Sequence, residues 1–260
     1  LLQLKLSIQL ACLHVPLKAA LPIAAELGAA GVEIDARREL QPPVSRTAIR
    51  QLLKWLDDYR LRLACLTFQI RHGLGDSPNL ERRIEALKDT LRLAYQLRCQ
   101  SVVCDIGQVP AVEQVTLRDQ WRDVANDLGR TSHKEGAFLA ARTGSMSPRE
   151  LGQFFAELDP GSLMVSLDPG NVLLHGHALE GAIEALGGHI VHLHARDAVR
   201  DFAARKAVEV EVGRGSVDWS KTLAELEQNG FQGYITVGRE ESPHPQLECQ
   251  HAFQYLQNLF

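Results

Sequence analysis

Short apolar runs rich in β-branched residues alternate along the whole chain with longer segments whose apolar positions recur at helical spacing. That alternation is the signature of repeated strand–helix units around a parallel sheet. The expected strands cover residues 4–10, 31–35, 62–69, 101–106, 137–141, 163–167, 189–195 and 233–237. The expected helices cover 16–27, 45–59, 80–97, 116–134, a segment opening at Ser147-Pro148, and 245–259. Local chemistry supports the boundaries: Gly28 and Gly31 can end the first helix, and Ser45 and Ser147 can each cap one, the second ahead of a proline at the first helical position. In residues 45–59, Ile49, Leu52, Leu53 and Leu56 form one apolar stripe.

Eight strands, each followed by a helix, within 260 residues match the count for a single (β/α)8 TIM barrel of the α/β class, spanning residues 1–260 as one domain. No linker, low-complexity tract or exact repeat suggests a second domain. Composition agrees, with 45% hydrophobic and 23% charged residues, enough apolar surface for a core and far from the disordered or disulfide-scaffold extremes. The formal net charge is −4, so the overall field favours neither nucleic acid nor an anionic membrane as partner. Five cysteines with no C-x-x-C pair (Cys12, Cys65, Cys99, Cys104 and Cys249) read as small buried hydrophobes in a reducing, cytoplasmic setting. Residues 1–13 alternate apolar and polar positions and lack a basic leader, so they read as a first strand and not a signal peptide. Leu1 stands where an initiating Met would, which leaves a trimmed start open. No apolar stretch approaches the roughly 20 residues that span a bilayer.

In a barrel of this kind the functional groups sit at the C-terminal ends of the strands. The polar residues there are His14, Asp35, Arg37, Gln69, Arg71, His72, Asp105, Arg142, Asp168, Asn171, His192, His194, Arg196, Asp197, Arg239, Glu240 and Glu241. Strands six and seven carry the most chemistry. Period-2 alternation puts His192, His194 and Arg196 on one side of strand seven, a costly set to bury unless polar partners meet it. Asp168 follows strand six directly and Pro169-Gly170 turns Asn171 back toward the same mouth. The plainer readings are a satisfied structural network for the histidines and an ordinary turn for the aspartate.

Four runs occur in order: Leu167-Asp168-Pro169-Gly170-Asn171, His192-Leu-His194-Ala-Arg196-Asp197, Gly213-Arg-Gly215-Ser-Val217-Asp218-Trp219, and Tyr234-Ile-Thr-Val237-Gly238-Arg239-Glu240. Together the sequence resembles the xylose isomerase-like TIM barrels, the sugar phosphate isomerase/epimerase group related to endonuclease IV, over essentially its whole length. The resemblance implies a divalent ion (Mn, Mg, Co or Zn) held at the mouth by a Glu after strand five, an Asp after strand six, a His on strand seven and a Glu after strand eight. It implies also that the two glutamates act as acid and base in moving a proton beside a carbonyl. Carried over by position, the Asp is Asp168 and the His is His194. The two glutamates fall on Arg142 and Gly238, and a histidine that often follows the Asp falls on Asn171.

These departures change the electrostatics. Asp168 and Arg142 already cancel, and a guanidinium roughly 4 Å from a divalent cation is repelled by on the order of 8 kcal/mol at an effective dielectric of 20. The expectation is therefore a metal-free site with no cofactor, in which Arg142 lies where the ion would be and pairs with Asp168 in a forked contact. Asp168 and His194 are the weak metal candidates, and Glu240 could replace the missing glutamate. His192, His194 and Glu240 are the catalytic candidates. Arg142, Asp168, Asn171, His194, Arg196, Asp197 and Gly238 are the expected ligand-binding or remnant residues. The glycine-rich run 213–219 could present backbone N–H groups to an anion, but reads more simply as a tight turn with Ser216 or Asp218 capping a helix. Three functions follow. One is a metal-dependent sugar or polyol isomerase or epimerase, and one is a diverged metal-free relative, pseudoenzyme or rewired enzyme, with a small polar partner such as a sugar or sugar phosphate. The third, an endonuclease IV-like nuclease, is the weakest, given the missing carboxylates and the acidic net charge. Substrate identity and homo-oligomerisation stay open.

Overall fold

Eight parallel strands close into a barrel: β1 (Leu6–Gln9), β2 (Gly31–Asp35), β3 (Arg62–Thr67), β4 (Ser101–Cys104), β5 (Phe138–Arg142), β6 (Met164–Leu167), β7 (Ile190–Ala195) and β10 (Tyr234–Val237). The computed structural model describes residues 4–70, 73–75, 79–201 and 206–259. Around the barrel each strand pairs with its sequence neighbours, and β10 closes the ring between β7 and β1. Between β7 and β10 lies an element that the sequence pattern does not announce. It is an antiparallel hairpin, β8 (Asp197–Asp201) and β9 (Lys206–Val210), in register from Asp197 opposite Val210. Its strands have only five residues each, too few for alternation to stand out from the preceding strand.

The outer layer holds α1 (Leu17–Glu26), α2 (Arg46–Asp58), α3 (Leu80–Gln96), α4 (Val115–Glu135), α5 (Pro148–Phe155), the short α6 (Pro169–Leu174) and α7 (Ala182–Leu186), α8 (Trp219–Gln228) and α9 (Pro245–Gln257). Caps begin several of them. The Ser45 hydroxyl accepts the Ala48 N–H, and Ser147 and Glu150 form a reciprocal capping box ahead of α5, contributions of about 1 kcal/mol each. Strand one is shorter than expected because Leu10–Leu13 turn into a 3-10 segment, and strand four ends at Cys104. Among the described residues no helix is long and apolar enough to cross a membrane.

The apolar core lies between barrel and helices, where Ile8, Ile34, Leu66 and Leu193 meet buried residues such as Leu21, Leu91, Leu128 and Trp219. The barrel interior is different. Ordinary TIM barrels fill it with branched apolar side chains. Here Ser7, Gln9, Glu33, Thr67, Ser166, Asp168, His192, His194 and Thr236 are buried, beside a small apolar cluster of Cys65, Val103 and Ala140. So many buried polar groups must be satisfied by one another.

Candidate functional site

The upper interior layer is built on Asp168. Its carboxylate caps α6 by accepting the Asn171 N–H at 2.8 Å, and it also takes Arg142 Nε at 2.9 Å and Arg196 Nη1 at 3.5 Å on Oδ2. The turn reading and the ion-pair reading thus describe the same residue. Arg142 does not make the expected fork, because Nε goes to Asp168 while Nη2 goes to His194 Nδ1 at 3.2 Å. A guanidinium can only donate, so Nδ1 of His194 accepts and the ring proton lies on Nε2. That buried Nε2 has no hydrogen-bond partner among the described residues, and Glu33 Oε2 stands 3.7 Å away.

Beneath this layer runs a chain of hydroxyls through an imidazole. Ser166 Oγ lies 2.8 Å from His192 Nδ1, His192 Nε2 lies 2.7 Å from Thr236 Oγ1, and Thr236 Oγ1 lies 2.7 Å from Ser7 Oγ. The Cys65 thiol donates to Glu33 Oε2 at 3.4 Å and lies 3.6 Å from His192 Nε2, while Gln9 Nε2 donates to Glu33 Oε1 at 2.9 Å.

Burial and the two guanidiniums set the protonation states. Burial, reinforced by Arg142, pushes His192 down to about 3 and, with Arg196 adding to it, holds His194 well below the usual imidazole range, so both are neutral. Burial pushes the Glu33 carboxyl up to about 7, with Arg142 the largest opposing influence. Burial alone would lower Arg196, but Asp168 and Glu209 outweigh it and keep the guanidinium charged. The layer therefore holds two guanidiniums, the Asp168 carboxyl group, two neutral imidazoles and, in Glu33, a carboxyl that gains or loses its proton near neutrality.

Other expected residues lie elsewhere. Asp197 is fully buried and turned away from the mouth. Its Oδ1 accepts the N–H groups of Ala198 and Val217, and its Oδ2 accepts those of Gly213 and Gly215 and the Trp219 indole N–H. The glycine-rich run does present amides to an anion, and that anion is Asp197. Asp218 caps α8 through the Lys221 N–H. Asn171 donates to the Thr143 carbonyl and pins the loop after β5. Glu240 is exposed in a turn beyond β10. Gly238 offers no side chain, and a Cβ there would lie 2.7 Å from Gln9 Cβ. Asp35 caps the turn that follows β2, Arg37 holds the Gln69 carbonyl, Asp105 takes Ser145 and Gly107, and Arg239 grips Glu248 through two bonds of 2.8 Å. His14 and Glu241 are exposed, and Arg71 and His72 lie outside the described residues.

Glu33, Cys65 and Thr236 are not among the polar residues at the strand ends, because they sit one step deeper in the barrel. A signal existed for Glu33, an acid in the middle of Gly31-Val-Glu-Ile-Asp35 at the parity of an interior position.

Solved structures share this architecture. A xylose isomerase domain protein from Planctomyces limnophilus matches at TM-score 0.82 and 21% identity over 92% of this chain and 91% of that one. A probable 3-DHS dehydratase from Bacillus anthracis matches at 0.79 and 16% over 98% and 99%, and a D-psicose 3-epimerase from Clostridium cellulolyticum H10 at 0.79 and 16% over the same shares. At such identities the likeness carries the fold and not the reaction. A search of curated proteins returns no match. The xylose isomerase-like TIM barrel family model matches residues 21–259, and with it the chain belongs to that family.

Proposed function

We propose that this protein is a diverged, cytoplasmic member of its family that binds a small polar molecule, a sugar or sugar phosphate, at a barrel mouth working without a divalent ion. One observation carries the reading: Arg142 reaches both remaining family ligands, Asp168 at 2.9 Å and His194 at 3.2 Å. The family's ion would need those same atoms, and this donor set does not fit it. Asp168 Oδ2 is already shared by two guanidiniums, His194 Nδ1 is taken, and position 238 supplies no ligand. Seated instead, a ligand's hydroxyl or phosphate oxygens would meet Arg142 and Arg196, which replace a movable +2 ion by fixed forked donors. Both former proton-transfer positions lack a base, so turnover of common ketoses and their phosphates is absent or very slow.

A second reading, rewired proton transfer, is favoured by Glu33, whose carboxyl is half protonated near neutral pH beside the unpartnered His194 Nε2. The test assays ketoses and ketose phosphates with and without Mn, alongside binding by calorimetry. Binding that is lost in Arg142→Met, with no metal-stimulated turnover, supports the proposal. A metal-independent activity lost in both Glu33→Gln and His194→Ala supports the second reading. Strong metal-stimulated turnover, lost to chelator and to Asp168→Asn, overturns both.

A further inference from the structure

From the convergence of Glu33, Cys65 and His192 inside the barrel we infer a zinc site, one layer below the mouth and separate from Asp168. A carboxylate oxygen, the thiol sulfur and an imidazole nitrogen of these three buried residues lie within 4.8 Å of one another. The separations are informative. With bonds of about 2.3 Å to sulfur and about 2.0 Å to oxygen or nitrogen, a tetrahedral ion holds sulfur about 3.5 Å from each other ligand. Cys65 Sγ lies 3.4 Å from Glu33 Oε2 and 3.6 Å from His192 Nε2. The two separations from sulfur therefore nearly match those of a metal-bound thiolate, the carboxylate oxygen and imidazole nitrogen lie within 4.8 Å of each other, and loading the ion requires loss of the thiol proton and a closing of that third side.

The surroundings complete the argument. His192 is neutral, and with Ser166 Oγ taking the Nδ1 proton at 2.8 Å, as an outer partner of a ligating histidine does, Nε2 is left a lone pair that the Thr236 hydroxyl at 2.7 Å holds in the metal-free state and that the ion would take over. Gln9 Nε2 holds Glu33 Oε1, which orients the carboxylate. The otherwise unpartnered His194 Nε2 proton points toward Glu33, where a carboxylate fixed as a ligand would receive it. Thiolate and carboxylate bring −2, which cancels the ion's +2, and Arg142 keeps its own counter-charge on Asp168. Thiolate with imidazole selects zinc over Mg or Mn, and three protein ligands leave one position on the ion open.

The experiment uses the intact protein. Metal content is measured after growth with zinc, and Co2+ is titrated into chelator-treated protein while the absorption from thiolate-to-cobalt charge transfer is followed. The expected result is one equivalent of metal per chain with a charge-transfer band in wild type and in the control Cys104→Ser. In Cys65→Ser the band should be absent and affinity should fall by roughly 100-fold or more. Glu33→Gln should weaken binding while keeping the band. Wild-type protein that takes up no cobalt with thiolate character overturns the proposal without reference to any variant's folding. So does a band that survives Cys65→Ser. Metal that is lost in Asp168→Asn but kept in Cys65→Ser also overturns it, and in that case the metal-free reading of the mouth fails too. Uptake sensitive to Cys65 alone leaves that reading intact.

Discussion

Replacing Asp197 by Asn changes one atom of a fully buried side chain, yet it should be among the most damaging single substitutions in the protein. The carboxylate accepts five hydrogen bonds, two on Oδ1 from Ala198 and Val217 at 2.9 and 3.1 Å, and three on Oδ2 from Gly213, Gly215 and Trp219 at 3.0–3.1 Å. An asparagine keeps one acceptor oxygen and turns an NH2 group toward the other set of donors. In its better orientation two buried N–H groups lose their partner, at roughly 1–3 kcal/mol each, and the remaining three bonds lose their charge assistance. The sum is about 4 kcal/mol, or on the order of 10 °C in Tm for a chain of this size. Urea and thermal unfolding followed by circular dichroism measure it, with Trp219 fluorescence reporting the local loss. Asp218→Asn, which weakens one exposed cap, serves as the comparison and should cost about 1 kcal/mol or less. If Asp197→Asn unfolds within 1 kcal/mol of wild type but loses ligand binding, Asp197 belongs to the site and the structural role assigned to it is wrong.

Three further outcomes follow from the interior. Glu33 holds its proton in the folded state up to about pH 7 and in the unfolded state only to its ordinary value of 4.5. Folding thus loses stability as pH rises through that window, and with chelator present Glu33→Gln should gain on wild type by on the order of 3 kcal/mol between pH 4.5 and 8. The histidines, depressed instead, lose stability as pH falls below 6.5 and cancel in that difference; a gap that does not change with pH refutes the reading. A double-mutant cycle of Arg142→Met and Asp168→Asn should give a coupling of about 2 kcal/mol in urea unfolding, and a value under about 0.5 would mean the pair contributes nothing. Arg142→Glu with Gly238→Glu should gain Mn affinity by calorimetry only when Gln9→Gly is added, since Gln9 Cβ lies 2.7 Å from a side chain built at 238; equal affinity without the Gln9 change would show that the Gln9 backbone gives way freely.

How much of this was legible in the sequence depended on where each signal lay. Apolar periodicity located all eight barrel strands because each is an apolar run between punctuating glycines, prolines and caps, whereas the β8–β9 hairpin is too short for period 2 to register. Arg142, Asp168 and His194 could be named because strand ends face the mouth in any such barrel. That Asp197 belongs to the hairpin could not be read, since its partners are backbone amides 16–20 residues away that only the folded turn gathers. The divided grip of Arg142 likewise depends on the staggered register of β5, β6 and β7, including the shift at Val165/Ser166, and not on residue type. Glu33 was visible as an acid within an apolar strand but lay below the level at which function was sought.

The proposed function rests on Arg142 standing in the mouth where the family resemblance implies a divalent ion. Crystals grown in the presence of Mn and measured at its absorption edge test it most directly. No anomalous peak is expected between Asp168 and His194, with the Arg142 guanidinium in contact with both. A manganese peak at that position, ligated by Asp168 and His194 with Arg142 swung outward, would contradict it.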